Sequence, residues 1–548
     1  MSSAARDEDV AAQLRKFSPS PSRDPDAGLR ALTHYERRLP RWRYHLRQWL
    51  IPMVRWETPY LAKMQRSCRS PFLDSYFAFT ANLGTHTFFM AFLPLCFWCG
   101  YPDLGLALVH MLALGVYISG YVKDLVCLPR PLSPPLQRIT MSGSTALEYG
   151  FPSTHTTNAV SAALYFVFQL YLSKDDLSST SYTLLCLGCY CYAVSITLGR
   201  VYCGMHGIFD VVIGAVLGAF LTWLWVAYGS IYAMWLVSSD WTRPAIAVVA
   251  LGFAVRFHPE PADNCPCYDD SVSFLGVIMG IAIGSWQRRA ISCVPKPSLT
   301  ATYDFSNEDI IISAARVVGG IVVIFLWRAV AKPTLLKILP PTLRFVDDYG
   351  LMIPRRYFLQ ARDYKQVPQL RRDDNILPAA TDIPAMLSSF GTPRRRRVSV
   401  GPQSEADARE YLANRDQRRK DARSAPETVR HRTSRLSVAA EHPPSPPYDS
   451  SMDDGQSRVA SNGSSTSSSS LRVSTVDRNL LTPPLSDAGM SSDSRSDDEK
   501  SDREMFSALE KPRVRYDAEV ITKLVVYAGI GWLAVEGDPL LFEWLGLT

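Results

Sequence analysis

The sequence predicts an all-α, polytopic integral membrane protein, a helix bundle of eight or nine spans with a long disordered insert. The chain of 548 residues has a mean hydropathy of -0.02, yet residues 75–102 and 211–239 contain no Asp, Glu, Lys or Arg. Charged residues make up 20 % of the chain, so these runs show that apolar and charged residues are segregated. The pattern excludes a uniformly soluble enzyme and a fully disordered protein.

Nine apolar stretches approach the roughly 20 residues that a helix needs to cross a bilayer. The five most apolar stretches cover residues 76–101, 104–122, 156–173, 180–199 and 208–229. Four others are shorter or are interrupted by a charge, and they cover residues 243–257, 271–287, 310–331 and 519–536. We therefore divide the apolar part into a core at 71–240, additional spans at 241–335 and a final hydrophobic segment at 519–548.

Residues 1–70 form a polar, arginine-rich segment without the features of a signal peptide. Between positions 37 and 56, arginines alternate with apolar and aromatic residues such as Trp49 and Trp56. This alternation is typical of an amphipathic helix that lies at the level of the lipid headgroups. A plain basic segment next to the membrane fits the same pattern equally well.

Residues 360–515 are rich in Ser, Pro, Arg and Asp and poor in aromatic residues. Such a composition buries too little apolar surface to offset the entropy of ordering, so we predict a disordered segment. Four arginines at 394–397 precede Ser399 in a pattern typical of a basophilic kinase site. A kinase is therefore a candidate partner, and a solvated run of charge is the simpler interpretation.

The net charge of +6 is modest for this length, and no basic, aromatic-rich module predicts nucleic-acid binding. Most of the 11 cysteines lie inside apolar runs, and pairs such as Cys96 and Cys99 lack a second pair in a polar loop. We therefore expect no disulfide framework, no metal site and no cofactor.

Three clusters of ionisable residues lie at the ends of apolar runs, where a charge is costly to bury. In the first cluster, Lys123 and Arg130 are seven residues apart, and prolines flank the arginine on both sides. These two cations leave the membrane on a stretch of chain that the prolines stiffen. Taken alone, the cluster is explained more simply by lysine and arginine that snorkel at the end of a span.

The second cluster, residues 151–157, directly precedes the apolar run that begins at Ala159. Ser153 and Thr154 beside a proline are typical of a helix N-cap, which is a structural role. A helix N-terminus also offers free N–H groups and the positive end of its dipole to an anion. His155 would stand beside that anion and could give a proton to its leaving oxygen.

The third cluster, residues 199–210, joins two spans and contains Arg200, His206 and Asp210. Because His206 and Asp210 are four residues apart at a helix start, they share one face, and the carboxylate can fix the imidazole tautomer. The other ring nitrogen is then available as a nucleophile. A structural His–Asp pair fits this spacing equally well.

The order of the spans brings the three clusters to one side of the membrane. One loop separates the first cluster from the second, and two spans separate the second from the third. Two histidines, an aspartate and three cations can therefore meet, and this set suits phosphoryl transfer. Arg130 and Arg200 offer bidentate forks for phosphate oxygens, and Lys123 offers a point charge.

Together, the three clusters resemble the tripartite signature of the type 2 phosphatidic acid phosphatase superfamily. The matching positions are Lys123 with Arg130-Pro131, then Pro152-Ser153-Thr154-His155, then Arg200 with His206 and Asp210. The runs at 129–135 and 149–155 are most similar to the sphingosine-1-phosphate phosphatase branch. The resemblance covers about residues 71–240, and the polar insert before a last hydrophobic segment is similar to that of fungal long-chain base phosphate phosphatases.

The resemblance implies a six-helix phosphatase-type core and a role for each matching residue. His206 would attack phosphorus and form a phosphohistidine while Asp210 holds its imidazole. His155 would protonate the leaving alkoxide and later activate water. The residues that would bind the phosphate are Lys123, Arg130, Ser153, Thr154 and Arg200. Gly199 and Thr154 depart from the broad family pattern, which has serine and glycine at these positions, and neither departure removes a catalytic group.

The resemblance further implies a phosphoric monoester hydrolase of the endoplasmic reticulum membrane that converts a sphingoid long-chain base 1-phosphate to the free base and phosphate. One alternative is a broad lipid phosphate or polyprenyl pyrophosphate phosphatase. Another is a non-enzymatic phospholipid-binding protein or transporter. The side of the active face also stays open, because the arginine-rich N-terminus predicts the cytosol and the resemblance implies the lumen.

Overall fold

The computed structural model of the chain describes residues 27–30, 32–84, 86–133, 135–139, 147–236, 240–263, 265–291, 307–349, 358–365, 367 and 516–547. In these ranges the secondary structure is helical, and the β-structure amounts to an isolated bridge between Leu359 and Tyr516. The predicted all-α class is confirmed.

The helices are α1 (Leu32–Arg38), α2 (Arg41–Cys68), α3 (Pro71–Asn82), α4 (His86–Trp98), α5 (Pro102–Val126), α6 (Thr154–Leu172), α7 (Ser179–Tyr202), α8 (Ile208–Leu236), α9 (Thr242–Arg256), α10 (Cys267–Ile291), α11 (Asn307–Asp348), α12 (Asp517–Trp532) and α13 (Asp538–Trp544). A 3-10 turn at Lys174–Asp176 lies between α6 and α7, and a π-helical turn at Leu533–Gly537 joins α12 to α13.

Six helical segments in the described part of the chain are long and apolar enough to cross a membrane, against the eight or nine predicted. They are Pro102–Val126, Ser179–Tyr202, Ile208–Leu236, Cys267–Arg288, Ile310–Asp348 and Asp517–Trp544. The predicted span at 76–101 is divided between α3 and α4, because α3 ends at Asn82. The predicted span at 243–257 is α9, which has 15 residues and is shorter than a bilayer requires.

Helix α6 is also absent from these six segments, although it has 19 residues. Its first two turns carry buried polar residues that lower its hydropathy: Thr154, Thr156, Thr157, Asn158 and Ser161. Thr157 donates a hydrogen bond to the carbonyl of Gly214 in α8 at 3.0 Å. A Cβ at Gly214 or Gly218 would meet backbone oxygens of Ser153 and Thr157. Close packing against α8 therefore compensates for the polarity of α6.

Helix α2 is a continuous helix of 28 residues with two unlike faces. One face is buried in the protein and includes Leu50, Val54 and Leu61. The opposite face exposes Trp49 and Trp56, whose accessible fractions are 74 % and 69 %. Exposed tryptophans of this kind suit the headgroup region, so the interfacial location stays a prediction for this face of the helix.

The second half of the bundle is built on α10, which packs extensively against α12. Gly276, Gly280 and Gly531 allow this close approach, because a Cβ at each would meet backbone atoms of the facing helix. The predicted disordered segment lies outside the described residues except for 360–365 and 367, and Ser399 lies outside them as well.

Candidate active site

The first cluster is positioned by the end of α5. Cys127 adopts a left-handed conformation (φ +54°) and donates its N–H to the Lys123 carbonyl at 2.9 Å, which ends the helix. The chain then runs as a non-helical stretch through Leu128 to Arg130. Lys123 and Arg130 are both buried. These two cations therefore lie inside the protein and do not snorkel to the membrane surface.

Arg130 connects the first cluster with the third. Its Nη1 donates to the Met205 carbonyl at 2.8 Å and lies 3.2 Å from Nε2 of His206. Its Nη2 donates to Oε2 of Glu148 at 2.8 Å, and Nζ of Lys123 lies 3.9 Å from the same oxygen. The Glu148 side chain is 28 % exposed, so this carboxylate contacts both cations at the edge of the cluster.

The second cluster begins α6 as the sequence predicts for a helix N-terminus. The Ser153 hydroxyl accepts a hydrogen bond from the Thr156 N–H at 3.4 Å and from the Thr156 hydroxyl at 3.0 Å. The Ser153 N–H donates to the Asp210 carbonyl at 3.0 Å, which joins the second and third clusters directly. The Thr154 hydroxyl lies 2.7 Å from that of Ser119 in α5. His155, in the first turn of α6, is half-buried.

The third cluster is a tight turn between α7 and α8. The Met205 and His206 N–H groups both donate to the Arg200 carbonyl, at 3.1 and 3.3 Å. Gly204 has a φ of +63°, and a Cβ there would approach the Gln137 carbonyl oxygen to 3.0 Å. Glycine is therefore required by both the conformation and the space at this point.

Asp210 holds this turn through a hydrogen bond to the backbone, in addition to facing His206. Its Oδ2 accepts a hydrogen bond from the Gly207 N–H at 2.9 Å. The same oxygen lies 3.6 Å from Nδ1 of His206, which is an ion-pair distance and longer than a hydrogen bond. Asp210 therefore fixes the backbone beside His206 and faces its Nδ1, so that Nε2 points towards Arg130.

The electrostatics of this turn keep His206 uncharged. Burial is the largest cause that lowers the pKa of His206 well below the usual value for histidine, and the positive charges of Arg130 and Arg200 follow. Lys123 and His155 act in the same direction. A neutral imidazole among cations has a lone pair for nucleophilic attack, and the cations face the place where an anion would sit.

Arg200 completes the group of cations. Its side chain is buried in the last turn of α7. No group in the described part of the chain accepts a hydrogen bond from its Nε. Because a buried guanidinium calls for acceptors, the site has hydrogen-bonding capacity left for the oxygens of a phosphate.

Gln65 of α2, which the sequence pattern does not single out, connects two active-site loops by hydrogen bonds. Its Nε2 donates to the Gln137 carbonyl at 2.7 Å and to the Tyr202 carbonyl at 3.0 Å, and its Oε1 accepts from the Gln137 N–H at 2.9 Å. Gln137 follows the first cluster, and Tyr202 ends α7 in the third. Gln65 therefore fixes the distance between these two clusters.

Glu57 lies on the buried face of α2, and the sequence pattern did not predict its role either. Its Oε2 accepts a hydrogen bond from the Phe209 N–H at the start of α8, at 3.3 Å. Burial raises the pKa of the Glu57 carboxyl, and the backbone N–H groups of Phe209 and Ile208 oppose that shift. A Cβ at Gly207 would overlap the Glu57 carboxylate. The available signal was the buried face of α2, on which Glu57 and Gln65 are eight residues apart.

The comparisons with known proteins agree with this geometry. The model of the PAP2 superfamily matches residues 104–232, which include all eight predicted site residues. A dihydrosphingosine 1-phosphate phosphatase of Schizosaccharomyces pombe is 44 % identical over 300 residues, covering 55 % of this chain and 72 % of that protein. A dihydrosphingosine 1-phosphate phosphatase of Saccharomyces cerevisiae is 34 % identical over 329 residues, covering 59 % of this chain and 78 % of that protein.

A human relative extends the similarity beyond fungi. Human sphingosine-1-phosphate phosphatase 2 is 29 % identical over 273 residues, which is 48 % of this chain and 65 % of the human protein. No solved structure is significantly similar to the chain. The family model covers the three clusters, and the two fungal relatives are at least 34 % identical and matched over more than two thirds of their length, so the chain belongs to the PAP2 superfamily.

Proposed function

We propose that this chain hydrolyses a sphingoid long-chain base 1-phosphate to the free base and inorganic phosphate. Its fungal and human relatives carry names for this activity. The observation that carries the chemistry is the position of His206, whose Nε2 lies 3.2 Å from Nη1 of Arg130. A phosphate bound by that guanidinium has its phosphorus beside a neutral imidazole nitrogen.

In the first step, Nε2 of His206 attacks phosphorus and the bond from phosphorus to the alkoxide oxygen of the lipid breaks. Arg130, Arg200 and Lys123 neutralise the charge on the phosphoryl oxygens. His155, at the N-terminus of α6, gives its proton to the departing oxygen. The products of this step are the free long-chain base and a phosphohistidine at His206.

In the second step, His155 takes a proton from water, and the resulting hydroxide attacks phosphorus. The bond between phosphorus and Nε2 then breaks, and inorganic phosphate leaves. Asp210 faces Nδ1 from 3.6 Å, where its negative charge stabilises the positive imidazole that exists while Nε2 is bonded to phosphorus. The backbone N–H of Thr154 lies at the start of α6, where a helix N-terminus favours an anion.

The substrate is a lipid because of where the cluster lies. The three clusters lie at the end of α5, at the start of α6 and in the turn between α7 and α8. Helices α5, α7 and α8 are candidate membrane spans, so a phosphate headgroup reaches the cations while the hydrocarbon chain stays among the spans. We propose the endoplasmic reticulum membrane as the location. Helix α2 contacts the loops of the first and third clusters, so a tag before α2 and one in the 128–150 loop are expected to be protected from protease together.

The test is phosphate release from a panel of lipids by the purified protein in detergent. Dihydrosphingosine 1-phosphate should be turned over much faster than phosphatidic acid or a polyprenyl pyrophosphate, and equal rates would contradict the narrow substrate class. His206→Ala should lose at least about 10³-fold in kcat because the nucleophile is removed. His45→Ala changes an exposed histidine of α2 and serves as the matched control.

A binding protein or transporter with the same clusters would give a different result. It would retain phosphorylated lipid without releasing phosphate, and His206→Ala would leave its release rate at background. Addition of Mg²⁺ to the phosphatase should bring no gain in rate, since the proposed steps use side chains alone. Activity that depends on added Mg²⁺ would contradict this mechanism.

A further inference from the structure

A second cluster of side chains lies at the end of α5, next in sequence to Lys123 and separate from the phosphate-binding groups. One ligand atom from each of Asp124, Cys265 and Cys267 lies within 4.8 Å of the others, and all three residues are buried. We propose that these residues bind a structural Zn²⁺ ion, with His258 in the fourth position.

The loop between α9 and α10 brings the cysteines to α5. Cys265 lies in this loop, and Cys267 is the first residue of α10. The loop is fixed by the carboxylate of Asp263, whose Oδ2 accepts hydrogen bonds from the Gly28 N–H at 2.9 Å and from the Tyr35 and Tyr149 hydroxyls at 2.9 and 3.0 Å. The loop that carries the two sulfur atoms is therefore held in place by contacts outside the cluster.

His258 supplies an imidazole beside Asp124. Its Nδ1 lies 3.8 Å from Oδ2 of Asp124, and both side chains have no exposed surface. The rings of Tyr117, Tyr121 and Tyr268 surround the imidazole, with centroid distances of 5.8, 5.7 and 5.1 Å. To bind the ion, the ring must exchange the contact of its Nδ1 with the Pro259 carbonyl, now at 3.2 Å, for the metal.

The chemistry of the set favours zinc. Two thiolates exclude Mg²⁺ and Ca²⁺, which prefer oxygen ligands. Cys, His and Asp are all zinc ligands, and structural zinc is almost always bound by four ligands in tetrahedral geometry. The Sγ atoms of Cys265 and Cys267 are 2.6 Å apart, whereas zinc–sulfur bonds of about 2.3 Å place them roughly 3.7 Å apart. Zinc binding therefore requires the sulfur atoms to separate by about 1 Å, within reach of side-chain rotation.

The ion would act on the structure and not on the reaction. Asp124 belongs to the last turn of α5, which also carries Lys123, while the cysteines begin α10. A metal that joins these elements fixes the end of α5 against the start of α10. This role adds to the proposed phosphatase function and does not depend on it, because metal content can be measured in protein that has no phosphatase activity.

The experiment measures zinc in the purified full-length chain, with any affinity tag removed, by mass spectrometry of the metal. We expect about one zinc ion per chain, and almost none in Cys265→Ser/Cys267→Ser. Cys127→Ser is the matched control, because Cys127 is equally buried nearby and does not belong to the proposed ligands. It should keep its zinc. A strong zinc chelator should lower the midpoint of thermal unfolding of the wild type and leave that of the double variant unchanged.

Asp124→Asn provides a second route if the double cysteine variant does not fold. This variant is nearly isosteric, and it should bind zinc more weakly in a chelator competition titration. The proposal is overturned if the wild type holds no zinc after reconstitution with one equivalent. It is equally overturned if the double variant keeps its zinc, or if the intact mass shows a disulfide between Cys265 and Cys267.

Discussion

Two groups of buried arginines lie within the same region of the molecule, and their surroundings differ. Arg47 in α2 donates to the carbonyls of Cys127 and Gly28 at 3.1 and 2.7 Å, and its guanidinium lies 3.6 Å from the centre of the Tyr35 ring. Arg130 instead lies beside the imidazole of His206. No group in the described part of the chain accepts a hydrogen bond from Nε of Arg200. The first environment surrounds the guanidinium with backbone carbonyls and a tyrosine ring, and the second places it beside the imidazole of His206.

The difference teaches how to separate structural cations from binding cations. Arg43 has the same kind of environment as Arg47, since it donates to the Leu125 and Glu260 carbonyls at 2.8 and 2.9 Å. Both arginines therefore hold α2 against the end of α5. Burial alone does not distinguish the two groups, because Arg47 and Arg130 are equally inaccessible. The contact of Arg130 with the His206 imidazole does distinguish them.

The largest expected effect comes from replacing one arginine of each group with the neutral residue glutamine. Arg130→Gln removes the guanidinium beside His206, and we expect kcat/KM per folded enzyme to fall by about 10³-fold. Arg47→Gln leaves buried carbonyls without donors, so we expect the unfolding free energy to fall by about 2–3 kcal/mol. Its activity per folded enzyme should stay close to wild type. Similar losses of activity in both variants would abolish the distinction.

Asp210→Asn should have the next largest effect. The asparagine oxygen can still accept a hydrogen bond from the Gly207 N–H, but the negative charge that faces Nδ1 of His206 is lost. We expect kcat to fall by at least about 10²-fold, by analogy with the loss of the aspartate in a catalytic triad. The control is Asp240→Asn at an exposed position. Wild-type kcat in Asp210→Asn would restrict Asp210 to holding the turn.

Gln65→Leu tests whether α2 positions the site. The change keeps the side-chain volume and removes three hydrogen bonds to the Gln137 and Tyr202 backbones. Because small displacements of catalytic groups are costly, we expect kcat to fall about tenfold while KM changes little. Gln48→Leu on the same helix is the control. An equal loss in both variants would show a general effect on α2, and an unchanged kcat in Gln65→Leu would remove its positioning role.

The smallest effect concerns pH and is read from Arg200→Gln. The charge of Arg200 lowers the pKa of His206, so removing it stabilises the protonated imidazole and raises that pKa. Protonated His206 cannot attack phosphorus, and the acid limb of the kcat/KM profile should therefore move to higher pH. If the acid limb stays at the wild-type pH, whatever activity the variant retains, the electrostatic account of His206 is contradicted.

The sequence predicts which residues come together better than it predicts the number of spans. The positions of Lys123, His155 and His206 at the ends of apolar runs were sufficient to group the three clusters, since the order of spans determines which ends share a side. The span count was less certain, because α6 is too polar and α9 too short for a hydropathy criterion. Both helices are stabilised by packing that a window along the chain does not register.

The positioning residues were not predictable from local pattern. Glu57, Gln65 and Arg47 lie on α2, where an alternation of arginines with tryptophans also fits a helix on the membrane surface. Their hydrogen bonds reach residues between 19 and 152 positions away in the sequence, so only the tertiary structure reveals them. Glu148 gave a weak signal as an acidic residue next to the second cluster, but its contact with Arg130 depends on the fold of the 130–150 loop.

The central claim is that phosphoryl transfer proceeds through His206, and the stereochemistry at phosphorus tests it most directly. A sphingoid base phosphorothioate, made chiral at phosphorus with oxygen isotopes, is hydrolysed in isotopically labelled water, and the configuration of the released thiophosphate is determined. Two successive in-line displacements, first by Nε2 of His206 and then by water, predict overall retention of configuration. Inversion would mean that water attacks phosphorus directly, and it would contradict the phosphohistidine mechanism.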